Sequence, residues 1–242
     1  MAAVDEHRRE PGVQDDASPP RVVRGQEWRA CILAMIAGYA DAFGFFHYRA
    51  YVSFMSGNTT QSGLNLGRAA WLAAVPTLVA IASFLSGVFV GTLLAHSREE
   101  QSLRFRFGLV AALLAVVVFS AGVGALPVDP GIALLSFAMG VMNTTLSVVG
   151  GEAVALGYVS GTLNALARHV ALAVKRLPLS GAQGPWDTHQ RRALLLTWVW
   201  VAFLGGAVLS TAATERIGVW VLLLPVAILT VFAVSHPTGA GE

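Results

Sequence analysis

Two short stretches of the sequence carry polar residues where a membrane-spanning chain usually carries Leu and Val. The first places Asp41 inside the apolar run 38–45 and follows it with Ser56, Asn58 and Thr59. Burial disfavours the charged form of a carboxyl group, which makes proton exchange at such a residue physically feasible. Hydroxyl and amide groups can bind a solute or an ion. The pattern therefore predicts a polar site for a solute, an ion or a proton inside the membrane.

A weaker copy of this stretch lies about one hundred residues downstream. Gly140 aligns with Gly38 and Asn143 with Asp41, and after a two-residue shift the pair 160–161 aligns with the pair 56–57. The two copies are predicted to pack together near the middle of the membrane. They supply the candidate solute- or ion-binding residues, which are Asp41, Ser56, Asn58, Thr59, Asn143, Ser160 and Thr162.

The same residues have a purely structural interpretation. Asp41 can cap a broken helix, and an intramembrane Asn such as Asn143 often joins helices by hydrogen bonds. Small residues let neighbouring helices approach closely, as in the GxxxG spacing of Gly87 and Gly91. The residues expected to pack helices are Gly38, Gly57, Gly87, Gly91, Gly140, Gly161, Gly205 and Gly206.

Composition indicates the medium in which these residues lie. Of the 242 residues, 55% are hydrophobic and only 12% are charged, and the mean hydropathy is +0.63. Long uncharged runs alternate with short charged ones, a pattern typical of a polytopic helical membrane protein. The basic residues flank the apolar runs and form no stripe with interleaved aromatics, so we expect no nucleic-acid partner. The expected environment is a lipid bilayer.

The expected fold class is all-α, with six transmembrane helices in two inverted three-helix repeats. Each repeat contains a broken or re-entrant Ser-Gly segment, because polar backbone in lipid is tolerated only beside protein or water. The predicted spans are 30–46, 69–95, 107–126, 131–149, 193–213 and 217–234, and the polar segments are 48–67 and 153–174. The predicted domains are a disordered cytoplasmic arm at 1–26, repeats at 27–127 and 128–236, and a cytoplasmic tail at 237–242.

The position of Asp41 in the first span adds to this picture. It lies 11 residues past Ala30, or roughly 16 Å into a hydrocarbon core about 30 Å thick. An ionised Asp at that depth costs about 2.5 to 3.5 kcal/mol on insertion scales. We therefore expect Asp41 to face a polar cavity, to be paired or to be protonated.

Orientation follows from the distribution of Lys and Arg. With both termini in the cytoplasm, thirteen of the 16 basic residues face inward, and only Arg49, Arg68 and Arg216 face outward. This distribution predicts a bacterial inner-membrane protein. Three spans per half is an odd number, so the second half must be inverted relative to the first.

The remaining polar and aromatic residues receive modest roles. His47 and His169 lie near span ends and are interpreted as interfacial histidines, and Trp28 and Trp198 as interface anchors. The single cysteine, Cys31, can form no internal disulfide. No Cys or His spacing suits a metal, and no cofactor is expected.

Both stretches resemble a known family. The runs 38–45 and 54–59, with 139–143 and 158–162 downstream, are similar to the YoaK family of bacterial inner-membrane proteins, although Thr is more usual there than Ser before the Gly. The likeness covers about residues 27–234. It implies an integral membrane protein with six helices and no particular activity.

Three functions compete on this sequence. A small secondary transporter or permease fits the inverted repeat and the mid-membrane polar residues, with proton coupling at Asp41 as an option. A non-transporting scaffold or sensor is the alternative, as a homodimer through the Gly87 and Gly91 face. An intramembrane enzyme is not expected, because Asp41 lacks a second deep carboxylate and neither Ser56 nor Ser160 has a matching histidine.

Overall fold

The computed structural model describes residues 19–97, 99–124, 127–145, 148–149, 151–153 and 159–235, and nearly all of them are helical. The all-α prediction is thus confirmed, with one small β-hairpin added. In chain order the elements are α1 (Arg21–Tyr48), α2 (Met55–Gly67), α3 (Trp71–Ser97), α4 (Glu99–Gly122), α5 (Val128–Asn143), β1 (Val148–Val149), β2 (Glu152–Ala153), α6 (Val159–Val174), α7 (His189–Ile217), a short 3-10 helix (Gly218–Leu222) and α8 (Leu223–Ser235).

Four helical segments of the described chain are long and apolar enough to cross a membrane. They are Arg21–Tyr48, Trp71–His96, Leu103–Gly122 and His189–Ser235. The last is 47 residues long and comprises α7, the 3-10 helix and α8, with Gly218 at a positive φ of 57° after the end of α7. Length and composition together identify a helical membrane protein.

The most extensive helix pair in the described structure is α1 with α7. A Cβ added at Gly38 would overlap the backbone carbonyl of Phe203, and one added at Gly206 would overlap that of Met35. Glu27 pairs with Arg191 near the starts of both helices, and Gly38 meets Phe203 farther along both, so the two helices run parallel. The absence of side chains at the two glycines lets the backbones touch.

The pair α3 and α5 crosses in the same way. A Cβ at Gly87 would overlap the carbonyl of Phe137, a Cβ at Gly140 would overlap that of Phe84, and the Thr144 side chain lies over Gly91. The Gly87 and Gly91 face is therefore covered by α5 of the same chain. Because its glycines pack within the monomer, this face is not free to form the expected homodimer, which stays a prediction.

The helix predicted for 131–149 is shorter than expected. It ends at Asn143, after which the Thr144 and Thr145 hydroxyls donate to the carbonyls of Val141 and Met142, at 2.7 and 2.6 Å. These bonds satisfy carbonyls that the last turn of a helix leaves open. The chain then forms an antiparallel hairpin in which Val148 pairs with Ala153 and Val149 with Glu152.

The polar segments also differ from expectation. Within 48–67 the chain forms a loop at 49–54 and then an unbroken α2 of 13 residues, about 20 Å long and too short to span. In the second segment, 153–174, helix begins only at Val159. The first span begins at Arg21, so the disorder predicted for 1–26 does not hold at 21–26. Residues 1–18 and the tail at 237–242 lie outside the described residues.

One hydrogen bond ties α1 to the 3-10 helix near the core. The Tyr39 hydroxyl donates to the Val221 carbonyl at 3.0 Å, and both residues are buried. We expect Tyr39→Phe to lower the free energy of unfolding by about 1 kcal/mol, because it removes a buried donor while keeping the ring. Thermal unfolding of purified protein in detergent measures this, with Tyr51→Phe as the control. An unchanged midpoint would show that this bond does not stabilise the junction.

Candidate functional site

Asp41 organises the loop that joins α1 to α2. Its Oδ1 accepts the backbone N–H groups of Val52 at 2.8 Å, Ser53 at 2.7 Å and Phe54 at 3.3 Å, and its Oδ2 accepts the Ser53 hydroxyl at 2.7 Å. The residue is only 4% exposed. A carboxylate that accepts several backbone N–H groups is stabilised without any cation. The loop itself therefore compensates much of the cost of burying this group.

Asn58 holds the same loop from the other side. Its Nδ2 donates to the Tyr51 carbonyl at 2.6 Å, and its Oδ1 accepts the Tyr51 N–H at 2.9 Å. The side chain is fully buried. Two polar residues of the first stretch thus replace the hydrogen bonds that non-helical backbone cannot find in an apolar setting. This contact pattern supports the structural interpretation of Asp41.

A cavity of about 590 Å³ opens beside this loop. Asp41 and Arg49 line it from the first stretch, Ser160 lines it from α6, and Thr211 lines it from α7. Its apolar walls come from the small residues and aromatic rings of the same three elements. These are Gly38, Ala42, Phe45, Phe46, Tyr51, Phe54, Val159, Phe203 and Ala207. The volume suits a small solute.

The other predicted site residues lie away from this cavity. Ser56 and Thr59 are exposed on α2, where the Thr59 hydroxyl donates to the Met55 carbonyl at 2.8 Å. Thr162 is buried on α6, and Asn143 is half-buried at the end of α5. The two polar helices are not each other's main partners, since α2 packs on α3 and α6 packs on α7. Asp41 and Ser160 are the members of the two stretches that line one cavity.

The predicted packing glycines divide in a similar way. Gly38, Gly87, Gly91, Gly140 and Gly206 lie in the helix crossings described above. Gly57 contacts the nearby Phe54 and Tyr51 rings, Gly161 lies half-buried on α6, and Gly205 has no described atom within 4 Å of its Cβ position.

A second groove lies at the other end of the α1–α7 pair. It measures about 630 Å³ and is lined chiefly by apolar residues, including Trp28, Cys31 and Trp198, with Arg24 and Arg191 at one end. Trp28 and Trp198 are largely exposed. An apolar groove between exposed Trp rings is expected to face lipid, so the cavity at Asp41 is the better candidate for a polar solute.

A second polar centre, which sequence reasoning did not anticipate, lies near the start of α7. Five buried ionisable residues meet there from the hairpin, α6, the loop at 175–188 and α7. They are Glu152, His169, Asp187, His189 and Arg192, and each is less than a tenth exposed. Buried charges of this kind require partners.

Arg192 connects the two acids of this cluster. Its Nε and Nη2 donate to the two oxygens of Asp187 at 2.9 and 2.7 Å, and its Nη1 donates to Glu152 Oε2 at 3.2 Å and to the Gly151 carbonyl at 3.0 Å. Gly151 has a φ of 81°, and a Cβ there would meet the Arg192 guanidinium. Burial opposes ionisation of Asp187, but hydrogen bonds from Arg192 and the Gln183 amide outweigh it and lower the pKa of Asp187.

The histidines complete the cluster. His169 Nε2 lies 3.0 Å from Glu152 Oε2, and His169 Nδ1 lies 2.8 Å from His189 Nδ1. His169 is only 2% exposed, so its interpretation as an interfacial histidine is wrong. One signal in the sequence could have revealed the cluster, because Glu152 is the only Asp, Glu, Lys or Arg between Asp129 and Arg168.

Removing one acid of this cluster should destabilise the protein markedly. We expect Asp187→Asn to cost about 3 kcal/mol, since it leaves the buried Arg192 without its bidentate partner. Wild-type stability should also fall as the pH drops through the lowered pKa of Asp187, because the unfolded chain binds that proton more readily. Chemical unfolding of Asp187→Asn beside Asp129→Asn, a change at an exposed acid, measures the first effect. Equal unfolding midpoints for the two variants would contradict it.

A metal centre has no support in the described residues, where no group of three His, Cys, Asp or Glu side chains is placed to hold an ion.

Comparison with known proteins agrees with the membrane architecture. The chain is 27% identical over 213 residues to the UPF0700 transmembrane protein RA0705 of Rhizobium meliloti (strain 1021), covering 85% of this chain and 84% of that protein. It is 25% identical over 146 residues to the UPF0700 transmembrane protein YoaK of Bacillus subtilis (strain 168), covering 58% of this chain and 65% of YoaK. The resemblance to YoaK is thereby confirmed.

No solved structure matches the chain. The family model described as "Protein of unknown function (DUF1275)" matches residues 29–235. Because that match covers most of the sequence, the chain belongs to the DUF1275 family.

Proposed function

We propose that this protein is a small-solute transporter of the bacterial inner membrane, with its solute site in the cavity beside Asp41. The observation that supports this most directly is that Asp41 and Ser160 both line one cavity. These residues come from the two related stretches of the sequence. Binding sites formed where two repeats meet, from interrupted helices, are typical of secondary transporters.

The helix directions support six spans in two inverted repeats. The crossings run parallel for α1 with α7 and for α3 with α5, and each brings two glycines together. Met35, Gly38, Phe84 and Gly87 correspond to Phe137, Gly140, Phe203 and Gly206 when the two halves of the sequence are aligned. Each crossing thus joins the first span of one half to the second span of the other. If α5, α7 and the 3-10 helix continued by α8 each cross the membrane, the directions alternate as six spans require.

Asp41 would serve this site by shaping it. Its oxygens are occupied by the loop at 52–54, so its main contribution is a fixed wall. The groups left to contact a solute are the exposed Arg49 and Ser160, together with Thr211 and the aromatic rings. One cation, two hydroxyls and several rings favour a small solute with an apolar part and a hydrogen-bonding or anionic group.

The crossing of α1 and α7 at Gly38 and Gly206 would act as the barrier that closes the solute path. The cavity at Asp41 contacts α1 from Gly38 onward and α7 from Phe203 onward, so it lies on the C-terminal side of this crossing. At the crossing, Gly38 and Gly206 bring the two backbones together. With both termini in the cytoplasm, as the basic residues favour, the cavity faces outward in this conformation.

Catalysis receives less support from the same cavity. Its described lining contains one carboxylate, Asp41, and no histidine. Neither a carboxylate dyad nor a Ser-His pair can therefore be assembled there. We propose transport rather than an enzymatic reaction.

The test is solute-induced charge movement or uptake in proteoliposomes of the full chain. The probes are panels of small carboxylates, amino acids and inorganic ions, each assayed at several pH values. We expect at least one probe to be transported, with Ser160→Trp reducing its rate tenfold or more by filling the cavity. Leu209→Trp, on an exposed apolar position of α7, should leave the rate unchanged. Equal rates for wild type, Ser160→Trp and empty liposomes across the panel would overturn the proposal.

A further inference from the structure

The cluster near the start of α7 fixes the protons of its two histidines. Glu152 Oε2, which accepts from Arg192 at 3.2 Å, is a carboxylate and can only accept. His169 Nε2, at 3.0 Å from it, must then carry a proton. In neutral His169 the Nδ1 atom is consequently an acceptor, and the contact at 2.8 Å requires His189 Nδ1 to donate.

This arrangement leaves a single position for another proton. His189 Nε2 is then an unprotonated acceptor, and it is buried without a hydrogen-bond partner in the described part of the chain. A second added proton would have to sit on His169 Nδ1, where two N–H groups would point at each other across 2.8 Å. The His169–His189 pair can therefore hold one extra proton and no more while this geometry lasts.

The surrounding charges favour that one proton. Each of the four elements in contact contributes: Glu152 from the hairpin, Asp187 from the loop, Arg168 from α6 and Arg192 from α7. Arg168 is 60% exposed and 3.8 Å from Glu152, so water screens much of its charge. Arg191 is engaged by Glu27 of α1 and stacks on Trp186. The buried core of the cluster thus carries two carboxylates against one guanidinium, and a proton on the pair would balance it.

Burial disfavours the protonated, charged form of the pair, and this sets the direction of the pH response. It lowers the pKa of His169, although the hydrogen bond to Glu152 acts the other way. The lowered pKa favours neutral His169 near pH 7, and acidification supplies the one proton that the pair can hold. Once protonated, His189 Nε2 becomes a buried donor without an acceptor, which favours a rearrangement that brings it to water or to a partner.

The cluster and the cavity are joined by the same two helices. Ser160 and His169 lie nine residues apart on α6, roughly 14 Å, and α7 carries both His189 and the cavity residue Phe203. A shift of α6 against α7 at the histidines would therefore also change the lining of the cavity.

We propose that the His169–His189 pair is the proton-binding site of this protein, taking one proton per chain and coupling it to movement of solute through the cavity at Asp41. The coupling rests on the proposed function, whereas the binding of the proton does not.

The first experiment measures the proton directly. Full-length protein labelled with 15N-histidine, in lipid nanodiscs, is titrated from pH 8 to 5 by NMR, with His169→Gln and His189→Gln used for assignment. We expect both imidazoles to respond with one shared midpoint. Glu152→Gln should lower the shared midpoint by about one pH unit, since it removes the balancing charge, and Asp129→Asn should leave it unchanged. Two separate midpoints, or one unaffected by Glu152→Gln, would overturn the site. If a variant fails to fold, the wild-type titration still distinguishes one shared midpoint from two separate midpoints.

The second experiment separates the site from its coupling. In proteoliposomes, the pH dependence of uptake of any transported probe is compared between wild type, His189→Gln and the control His47→Gln. We expect loss of the pH dependence in His189→Gln alone, and an unaltered dependence would overturn the coupling. A shared NMR midpoint without transport of any probe would reject the proposed function and leave the proton site standing.

Discussion

Replacing Asp41 with Ala is expected to destabilise the folded protein by about 3 to 5 kcal/mol. The substitution removes the acceptor of three backbone N–H groups and one hydroxyl in a buried loop. Each buried donor left without a partner costs about 1 to 3 kcal/mol. Reversible unfolding in mixed micelles, followed by circular dichroism, measures the loss.

Asp41→Asn is the matched control, because it keeps one oxygen for the backbone N–H groups and replaces the other, which accepts from the Ser53 hydroxyl, with an uncharged NH2 group. We expect it to cost less than half as much as Asp41→Ala. Should the two variants unfold alike, the charge and not the hydrogen-bonding geometry would be what Asp41 contributes. Wild-type stability in both variants would show that the loop does not depend on this residue.

The second large effect is expected at the crossing of α1 and α7. Gly206→Ala should destabilise the protein by about 3 kcal/mol, because the new methyl group would overlap the Met35 carbonyl and force the helices apart. Backbone cannot move aside as a flexible side chain can. The measurement is the unfolding midpoint in detergent, together with the fraction of protein that elutes as a folded species.

The neighbouring glycine provides the control. Gly205→Ala adds the same methyl group one position away, where no described atom lies within 4 Å, and should change stability by no more than about 0.5 kcal/mol. A similar loss in both variants would indicate that helix flexibility, and not close packing, explains the two glycines. A larger loss of stability in Gly205→Ala than in Gly206→Ala would contradict the close crossing of α1 and α7.

Much of the architecture is accessible from the sequence because membranes impose simple rules. Uncharged runs predict the long helices, and the paired glycines Gly38 and Gly140 mark two of the helix crossings. The hairpin at 148–153 is not predictable in this way, because Val148 and Val149 continue the apolar run of α5 and periodicity alone does not distinguish helix from strand there. The end of α5 depends instead on Thr144 and Thr145, whose hydroxyls cap its last carbonyls.

The polar residues are harder to interpret, since residue type does not reveal hydrogen-bond partners. Asp41 stands out in the sequence, yet its position does not show that backbone N–H groups of its own loop satisfy it. The cluster around Arg192 escapes sequence reasoning for a related cause. Glu152, His169 and Asp187 are separated by 17 or 18 residues along the chain and meet only through tertiary folding.

The transport proposal requires that water reach the cavity beside Asp41, and thiol labelling tests this most directly. In a Cys31→Ser background, Ser160→Cys is treated with a membrane-impermeant thiosulfonate from the periplasmic side, beside Leu209→Cys on an exposed apolar face of α7. We predict rapid labelling of Ser160→Cys and no labelling of Leu209→Cys. If Ser160→Cys is as unreactive as Leu209→Cys in intact membranes but reacts after unfolding, no water-filled outward cavity exists and the transport proposal is contradicted.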